Sequence, residues 1–251
     1  MSENQLEVEN RPFTHTFRKG FIRPILKRLI YIGFKLLADI EVKGYENIPS
    51  EGPLLIVGNH FSFLDPVLMI NIMPMPLEFI GGTELPGAPP ALRIFPRLWG
   101  TFKVHRGSVS RQALNDAEKV LSRGRALCIF PEAGSWAKVL RPARPGAALL
   151  AVRTKTAILP VGLSGVHDVF PIRLGRRAKV KVEIGKPIGP FQAQINNRAD
   201  REMLDNLGHE MMRAIKKLIP AAQHGYYSDD PELRLAAKGT EIYPWENNSE
   251  K

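Results

Sequence analysis

Acid–base chemistry is best served in this chain by a histidine and an aspartate five residues apart, in the stretch Val57-Gly58-Asn59-His60-Phe61-Ser62-Phe63-Leu64-Asp65-Pro66. On one regular helix such side chains point about 140° away from each other, so the pair cannot meet there. If Asp65 caps a helix whose first residue is Pro66, His60 lies in the preceding loop and its imidazole can fold back onto the carboxylate. The carboxylate would then keep one ring nitrogen protonated and leave the other to accept a proton, which makes His60 a general base. A plainer reading stands beside it: Asp65 only caps a helix, and His60 only satisfies a loop hydrogen bond.

Two further clusters could handle an anion. In Val104-His105-Arg106-Gly107-Ser108, just after a candidate strand, Arg106 at a strand end beside a helix start could grip a phosphate through its planar fork. Alternatively it is a solvated surface arginine. In Ile129-Phe130-Pro131-Glu132-Ala133-Gly134-Ser135-Trp136, Glu132 sits just beyond an apolar strand, where α/β sheets place their ligands. It could accept a substrate hydroxyl or orient a cation such as Arg106, and Gly134 lets the backbone come close; a simple turn is the other reading. Arg141 and Arg144 lead into Pro145-Gly146-Ala147, the basic start of a helix and another candidate phosphate contact.

Short apolar runs alternate with helical stretches along the chain. Strands are expected at Leu54 to Val57, Glu78 to Gly81, Thr101 to Val104, Ala126 to Phe130, Ala157 to Leu163 and Lys179 to Ile184, and only the last alternates strictly. Helices are expected at Pro66 to Ile72, Arg111 to Arg123, Gly146 to Arg153 and Asp200 to Leu218. Continuous apolar strands separated by helices predict an α/β sheet covered on both faces, with the alternating strand nearer an edge. Leu85 to Pro96, rich in Pro and Gly, reads as an irregular loop, and Gln223 onward as a loosely packed polar tail.

Before the sheet, Phe21, Ile22, Ile25, Leu26, Leu29, Ile30, Phe34 and Leu37 recur at helical spacing among Arg18, Lys19, Arg23, Lys27, Arg28 and Lys35, with Pro24 suited to a first turn. Such a basic amphipathic helix could lie in a lipid headgroup plane, or pack on the core with a solvated basic rim. The organisation expected is therefore residues 1–39 for membrane contact, 40–219 as one domain and 220–251 as a polar tail.

Composition narrows the partners. With 35 Lys and Arg against 25 Asp and Glu, the net charge of +10 suits anionic surfaces. Because the basic cluster rides an aliphatic helix rather than aromatics on a sheet, an anionic membrane is expected and nucleic acid is not. One cysteine, Cys128, excludes a disulfide framework and multi-cysteine metal sites, and its apolar strand makes it a poor nucleophile. Residues Leu29 to Phe34 form the longest apolar run near the N-terminus, far short of the ~20 needed to span a bilayer. Met1 to Asn10 is too polar and acidic for a secretory signal, so a peripheral or monotopic protein on the cytoplasmic face is expected. Gly162-Leu163-Ser164-Gly165 misses the nucleophile elbow of a serine hydrolase by one position.

Four blocks in order, Asn-His-x4-Asp from Asn59, Val-x-Arg-Gly from Val104, Phe-Pro-Glu-x-Gly from Phe130, and Ile158-Leu159-Pro160-Val161, resemble the 1-acylglycerol-3-phosphate (lysophosphatidic acid) acyltransferase family, over roughly Ile40 to Pro190. The resemblance implies a mixed, mostly parallel sheet flanked by helices, glycerol-3-phosphate acyltransferase-like, behind an amphipathic membrane-contact motif. It implies that His60 deprotonates an acceptor hydroxyl, that Asp65 orients His60, and that the alkoxide attacks an acyl thioester directly. Arg106 with Gly107, and Glu132 with Gly134, would lie in the acceptor-binding region, and Pro160 in the pocket wall. No tightly bound cofactor or metal is implied; acyl-CoA or acyl-carrier-protein thioester is a co-substrate, and a lysophospholipid the acceptor. One departure bears on phosphate recognition: Ala133 and Gly134 stand where the family has Gly-Thr, and Ser135 where it commonly has arginine. Arg144, Lys138 or Arg141 could supply that charge. Another lysolipid or glycerol-3-phosphate as acceptor, or a non-catalytic basic protein that binds lipid surfaces, are the alternatives.

Overall fold

Seven strands, β1 (Ala38–Lys43), β2 (Leu54–Gly58), β3 (Leu77–Gly81), β4 (Phe102–Lys103), β5 (Ala126–Ile129), β6 (Ala157–Ser164) and β7 (Ala178–Ile184), form one sheet in the order β1-β7-β6-β2-β5-β3-β4. The computed structural model describes residues 18–81, 88–103, 111–173, 175–191 and 198–240. From β6 through β2, β5 and β3 to β4 every pairing is parallel; β7 runs antiparallel to β6, and β1 runs parallel to β7. The sheet is thus mixed and mostly parallel, with helices around it.

β2 lies at its centre, and its continuous apolar run reflects burial on both faces. Leu54 and Ile56 enter one core with β7, while Leu55 and Val57 enter the other. The first core is closed by α1 (Arg23–Leu37), α2 (Asp65–Ile72) and α3 (Phe95–Trp99), the second by α4 (Arg111–Ser122), α5 (Gly146–Thr154) and α6 (Arg198–Lys216). On α6, Leu204, Leu207, Met211 and Ile215 recur at helical spacing and are all buried. Where α6 ends against β6, Gly162 is required, since a Cβ there would stand 2.5 Å from the Leu218 carbonyl oxygen.

Strict alternation in β7 comes out as a buried and an exposed face, one strand in from the edge. The edge strand itself, β1, is absent from the sequence reading: Ala38, Ile40 and Val42 alternate too, but over six residues that follow a helix without a break. Its presence moves the domain start back from residue 40 to Ala38. The expected loop from Leu85 to Pro96 contains a 3-10 turn (Pro90–Leu92), and its last two residues begin the short helix α3 (Phe95–Trp99).

Beyond Pro220 the expected loose tail is corrected as far as Thr240. Two 3-10 turns and α7 (Pro231–Leu235) pack on the domain, with Tyr227, Ser228 and Ala237 buried. Polar contacts join the segment to the body of the domain, among them backbone bonds of Gln223 and Tyr226 with Leu140 and the His209–Tyr227 side-chain bond. Residues 241–251 lie outside the described residues.

α1 follows one π turn (Arg18–Ile22), with Pro24 in its first turn. Its apolar residues divide between two faces. Phe34 is buried and Leu26, Ile30 and Leu37 pack against the first core, whereas Phe21, Ile25, Leu29, Ile32 and Leu36 point outward, from 43% to 69% exposed. The helix is fixed by an interaction that hydropathy cannot reveal. Arg23, 6% exposed, forks onto the fully buried Glu78 of β3 at 2.7 and 3.0 Å and donates through Nε to the Trp99 carbonyl at 2.9 Å. Arg125 donates to the same carboxylate. No helix among the described residues is long and apolar enough to cross a membrane.

Candidate active site

His60 and Asp65 meet. Nδ1 of His60 lies 3.0 Å from Oδ2 of Asp65, and the same oxygen accepts the backbone N–H groups of Phe61 and Ser62, each at 2.7 Å. The four-residue loop between them therefore curls around one carboxylate oxygen, and the aspartate's geometry is set by backbone, not by chance contact. The imidazole side chain is 16% exposed and Asp65 only 1%. A carboxylate next to Nδ1 makes that nitrogen the donor and leaves Nε2 as the basic position. One expectation needs correction: Asp65 is the first residue of α2 rather than its cap, the cap position being Leu64 with no side-chain bond, and the carboxylate folds back over the loop instead.

Neighbouring strands hold this loop. Asn59, fully buried, pairs both ways with Leu163 of β6: its amide donates to the Leu163 carbonyl and its oxygen accepts the Leu163 N–H, each at 2.8 Å. From the other side Phe130, just past β5, stacks on the His60 ring with centroids 4.4 Å apart. The histidine stands where β2 ends between β6 and β5, the crevice at the carboxyl ends of parallel strands where open α/β sheets bind ligands. The sequence showed Asn59 as part of the block but not its task; an amide at a strand end, able to pair with a backbone on both sides, was the available signal.

Glu132 comes to the same place in another role. It is 1% exposed, Oε1 accepts the His60 backbone N–H at 2.9 Å, and Oε2 accepts the Arg141 N–H at 3.1 Å with the Arg141 Nε at 3.4 Å. Each of its oxygens accepts a backbone N–H, so the carboxylate ties the His60 loop to Arg141. Its cationic neighbour is Arg141 and not the expected Arg106. Arg141 is itself buried, lies over the Trp136 ring at 3.7 Å and donates to the Gly134 carbonyl. Its guanidinium is thereby engaged within the loop. Gly134 is needed for Trp136, because a Cβ there would lie 1.8 Å from that ring. Ala133, where the family has glycine, takes φ +61°, a left-handed conformation that costs a non-glycine residue roughly 1 kcal/mol.

Burial pushes the Glu132 carboxyl up to about 7, against the opposing pull of Arg141 and of the two backbone N–H donors. A native pKa above the unfolded one means that stability is greatest below about pH 4.5 and is lost as pH rises to about 7. Glu132→Gln removes this titration, so the variant's stability relative to the parent rises across that window, by on the order of 3 kcal/mol. Chemical unfolding at a series of pH values measures it, and parallel pH profiles would contradict the assignment.

Arg144 is exposed at the foot of α5, its N–H bonded to the Pro131 carbonyl at 2.8 Å, which ties it to the Glu132 loop. Lys138 is exposed on that loop. Pro160 is buried inside β6 in register with Val57, its carbonyl accepting the Gly185 N–H. Arg106 and Gly107 lie outside the described residues, as does His105. Cys128 is fully buried in β5, and burial pushes its thiol up, further still with Asp65 nearby. Among the described residues, no group of three or more His, Cys, Asp and Glu could hold a metal ion.

A model of the acyltransferase family matches residues 39–164, about half of the chain, from the edge strand through β6. The chain belongs to the acyltransferase family. The match takes in both residues of the dyad, Glu132 and the Arg141–Trp136 pair. A 1-acyl-sn-glycerol-3-phosphate acyltransferase of Borreliella burgdorferi is 31% identical over 52% of this chain and 53% of its own length. The chloroplastic 1-acyl-sn-glycerol-3-phosphate acyltransferase LPAT1 of Arabidopsis thaliana is 27% identical over 76% of this chain and 56% of its own. A probable 1-acyl-sn-glycerol-3-phosphate acyltransferase of Mycoplasma pneumoniae is 26% identical over 81% and 79%. The chain thus spans about half the length of the first two. The crystal structure of the 1-acyl-sn-glycerophosphate (LPA) acyltransferase of Thermotoga maritima superposes with a TM-score of 0.58 at 23% identity, covering 85% of this chain and 84% of that one, a likeness of fold.

Proposed function

We propose that this chain transfers a fatty acyl group from an acyl thioester to the free hydroxyl of a lysophospholipid, with 1-acylglycerol-3-phosphate as acceptor and phosphatidic acid as product. The observation that carries the reading is the His60–Asp65 pair at the end of β2, anchored by three hydrogen bonds to one carboxylate oxygen. The names of the matching relatives supply the acceptor class. Nε2 of His60 takes the proton of the acceptor hydroxyl, and the oxygen attacks the thioester carbonyl. The tetrahedral intermediate collapses to the ester, and the departing thiolate takes the proton back from the imidazolium. Asp65 holds the ring in its reactive tautomer and stabilises the positive charge it briefly carries. A coenzyme A or an acyl-carrier-protein thioester fits this chemistry as donor.

Ser135 provides no cation where the family commonly has one, and Arg141 is committed inside the loop. Arg144 and Arg106 are the cations we assign to the acceptor phosphate. Incubating the protein with a labelled acyl thioester and a panel of lysolipids, then identifying the acylated product by mass, tests the acceptor. Phosphatidic acid as main product supports the reading; preferred acylation of a zwitterionic lysolipid overturns it.

The outward stripe of α1, with Arg28 and Lys35 exposed beside it, supports docking on an anionic membrane at the cytoplasmic face. Deleting the segment would be a poor test, because it also removes Arg23 from Glu78 and Phe34 from the core. Ile25→Glu with Leu29→Glu leaves those contacts alone and removes two insertable side chains, each contributing ~1.5–3 kcal/mol. The double variant is expected to bind anionic vesicles at least ~100-fold more weakly; unchanged sedimentation with vesicles would exclude this face.

A further inference from the structure

The C-terminal segment touches the catalytic loop through an unbroken series of contacts. The indole N–H of Trp136 donates to the Thr240 carbonyl at 2.8 Å, and the Trp136 ring carries the Arg141 guanidinium at 3.7 Å. Arg141 holds Glu132, and Glu132 accepts the backbone N–H of His60. A second set of bonds fastens the same segment: the Leu140 N–H donates to the Gln223 carbonyl and the Tyr226 N–H to the Leu140 carbonyl, both at 2.9 Å, so that the loop and the segment pair like two short strands. Gln223 is held in turn by the Ser164 hydroxyl at the end of β6, at 3.0 Å. At Gly225 the approach is so close that a Cβ would stand 2.5 Å from the Leu140 oxygen. Trp136, Arg141 and everything beyond Ser164 in this series lie outside the block that carries the dyad, and the segment from Gln223 to Thr240 lies beyond the family match.

We propose that residues 221–240 form a strap that positions His60, with Trp136 and Arg141 as its positioning residues. The strap closes the outer side of the loop from Pro131 to Arg141, the loop fixes the Glu132 carboxylate, and that carboxylate fixes the backbone from which the imidazole projects. The loop is thereby held from the C-terminal side.

The inference rests on the acyl transfer proposed above, and the test separates the two. Trp136→Phe keeps a ring over Arg141 but loses the N–H to Thr240. It is expected to lower kcat on the order of tenfold, with both KM values within about twofold and the unfolding midpoint unchanged. Gly239→Val is the second variant: at φ +80° a side chain is strained while a Cβ there meets no atom within 4 Å, so the strain falls on the backbone that carries the Thr240 carbonyl, and kcat should fall in the same way. Glu132→Gln replaces one acceptor oxygen with a donor, so the side chain can no longer accept both the His60 and the Arg141 N–H and the series is broken at this residue. Combined with it, Trp136→Phe should have little further effect, whereas independent roles would multiply. Wild-type kcat in Trp136→Phe and Gly239→Val, multiplying effects in the double variant, or an acceptor KM that rises at constant kcat would each overturn the strap. An inactive parent protein would instead overturn the acyl-transfer reading.

Discussion

His60→Ala is expected to lower kcat by about 10³- to 10⁴-fold while the protein unfolds at the parent's denaturant midpoint. The chemistry loses its base, but the loop does not lose its supports. Those supports are the Asn59 pairing with Leu163, the Glu132 bond to the His60 N–H, and the Asp65 bonds to Phe61 and Ser62, none of which uses the imidazole. Asp65→Asn should cost about as much activity, for a different reason. Its side-chain oxygen can still accept the same donors, so the loop keeps its shape while the charge that stabilises an imidazolium is gone. It should also lose some stability. Asp65 Oδ1 is buried without a hydrogen-bond partner, and an amide nitrogen placed there is an unsatisfied donor worth about 1–3 kcal/mol. Steady-state kinetics beside urea unfolding separates the two effects; an active His60→Ala variant, or an Asp65→Asn variant with full turnover, would contradict the dyad.

Arg23→Ala should give the largest loss of stability, on the order of 3 kcal/mol. It strips a fully buried carboxylate of its forked partner, leaving Arg125 as the cation still seen on Glu78 among the described contacts. The Trp99 carbonyl loses its guanidinium donor at the same time. Because Arg23 is the first residue of α1, the helix should also loosen from the sheet, which faster amide hydrogen exchange along Arg23–Leu37 would report. A change in unfolding free energy below about 1 kcal/mol would show that the ion cluster is incidental to stability.

The parts of this architecture that local chemistry dictates were legible in the residues alone. Six strands fall where apolar runs are bounded by polar or turn-forming residues, and the four longer helices of the domain start and stop within about two residues of their expected limits. His60 and Asp65 could be paired because only a loop fits that spacing. What escaped the sequence is tertiary in origin. Glu78 looks like a surface residue of an edge-side strand until Arg23, far away in the chain, is placed against it. Glu132 looks like a ligand-binding carboxylate at a strand end until the His60 and Arg141 amides are found to occupy it. The apolar residues of α1 carry one helical period, yet the fold divides them into an inward and an outward row, and no pattern within the helix says where the division falls. The segment after Pro220 looks polar because polar contacts, including two backbone bonds to Leu140 and the Ser164, His209 and Trp136 side-chain bonds, help to hold it, which hydropathy does not register.

Transfer from a labelled acyl thioester to 1-acylglycerol-3-phosphate, followed for the parent protein and His60→Ala side by side, tests the base most directly. The dyad predicts labelled phosphatidic acid from the parent and at least a thousandfold slower formation by the variant. Equal rates from the two proteins would contradict it.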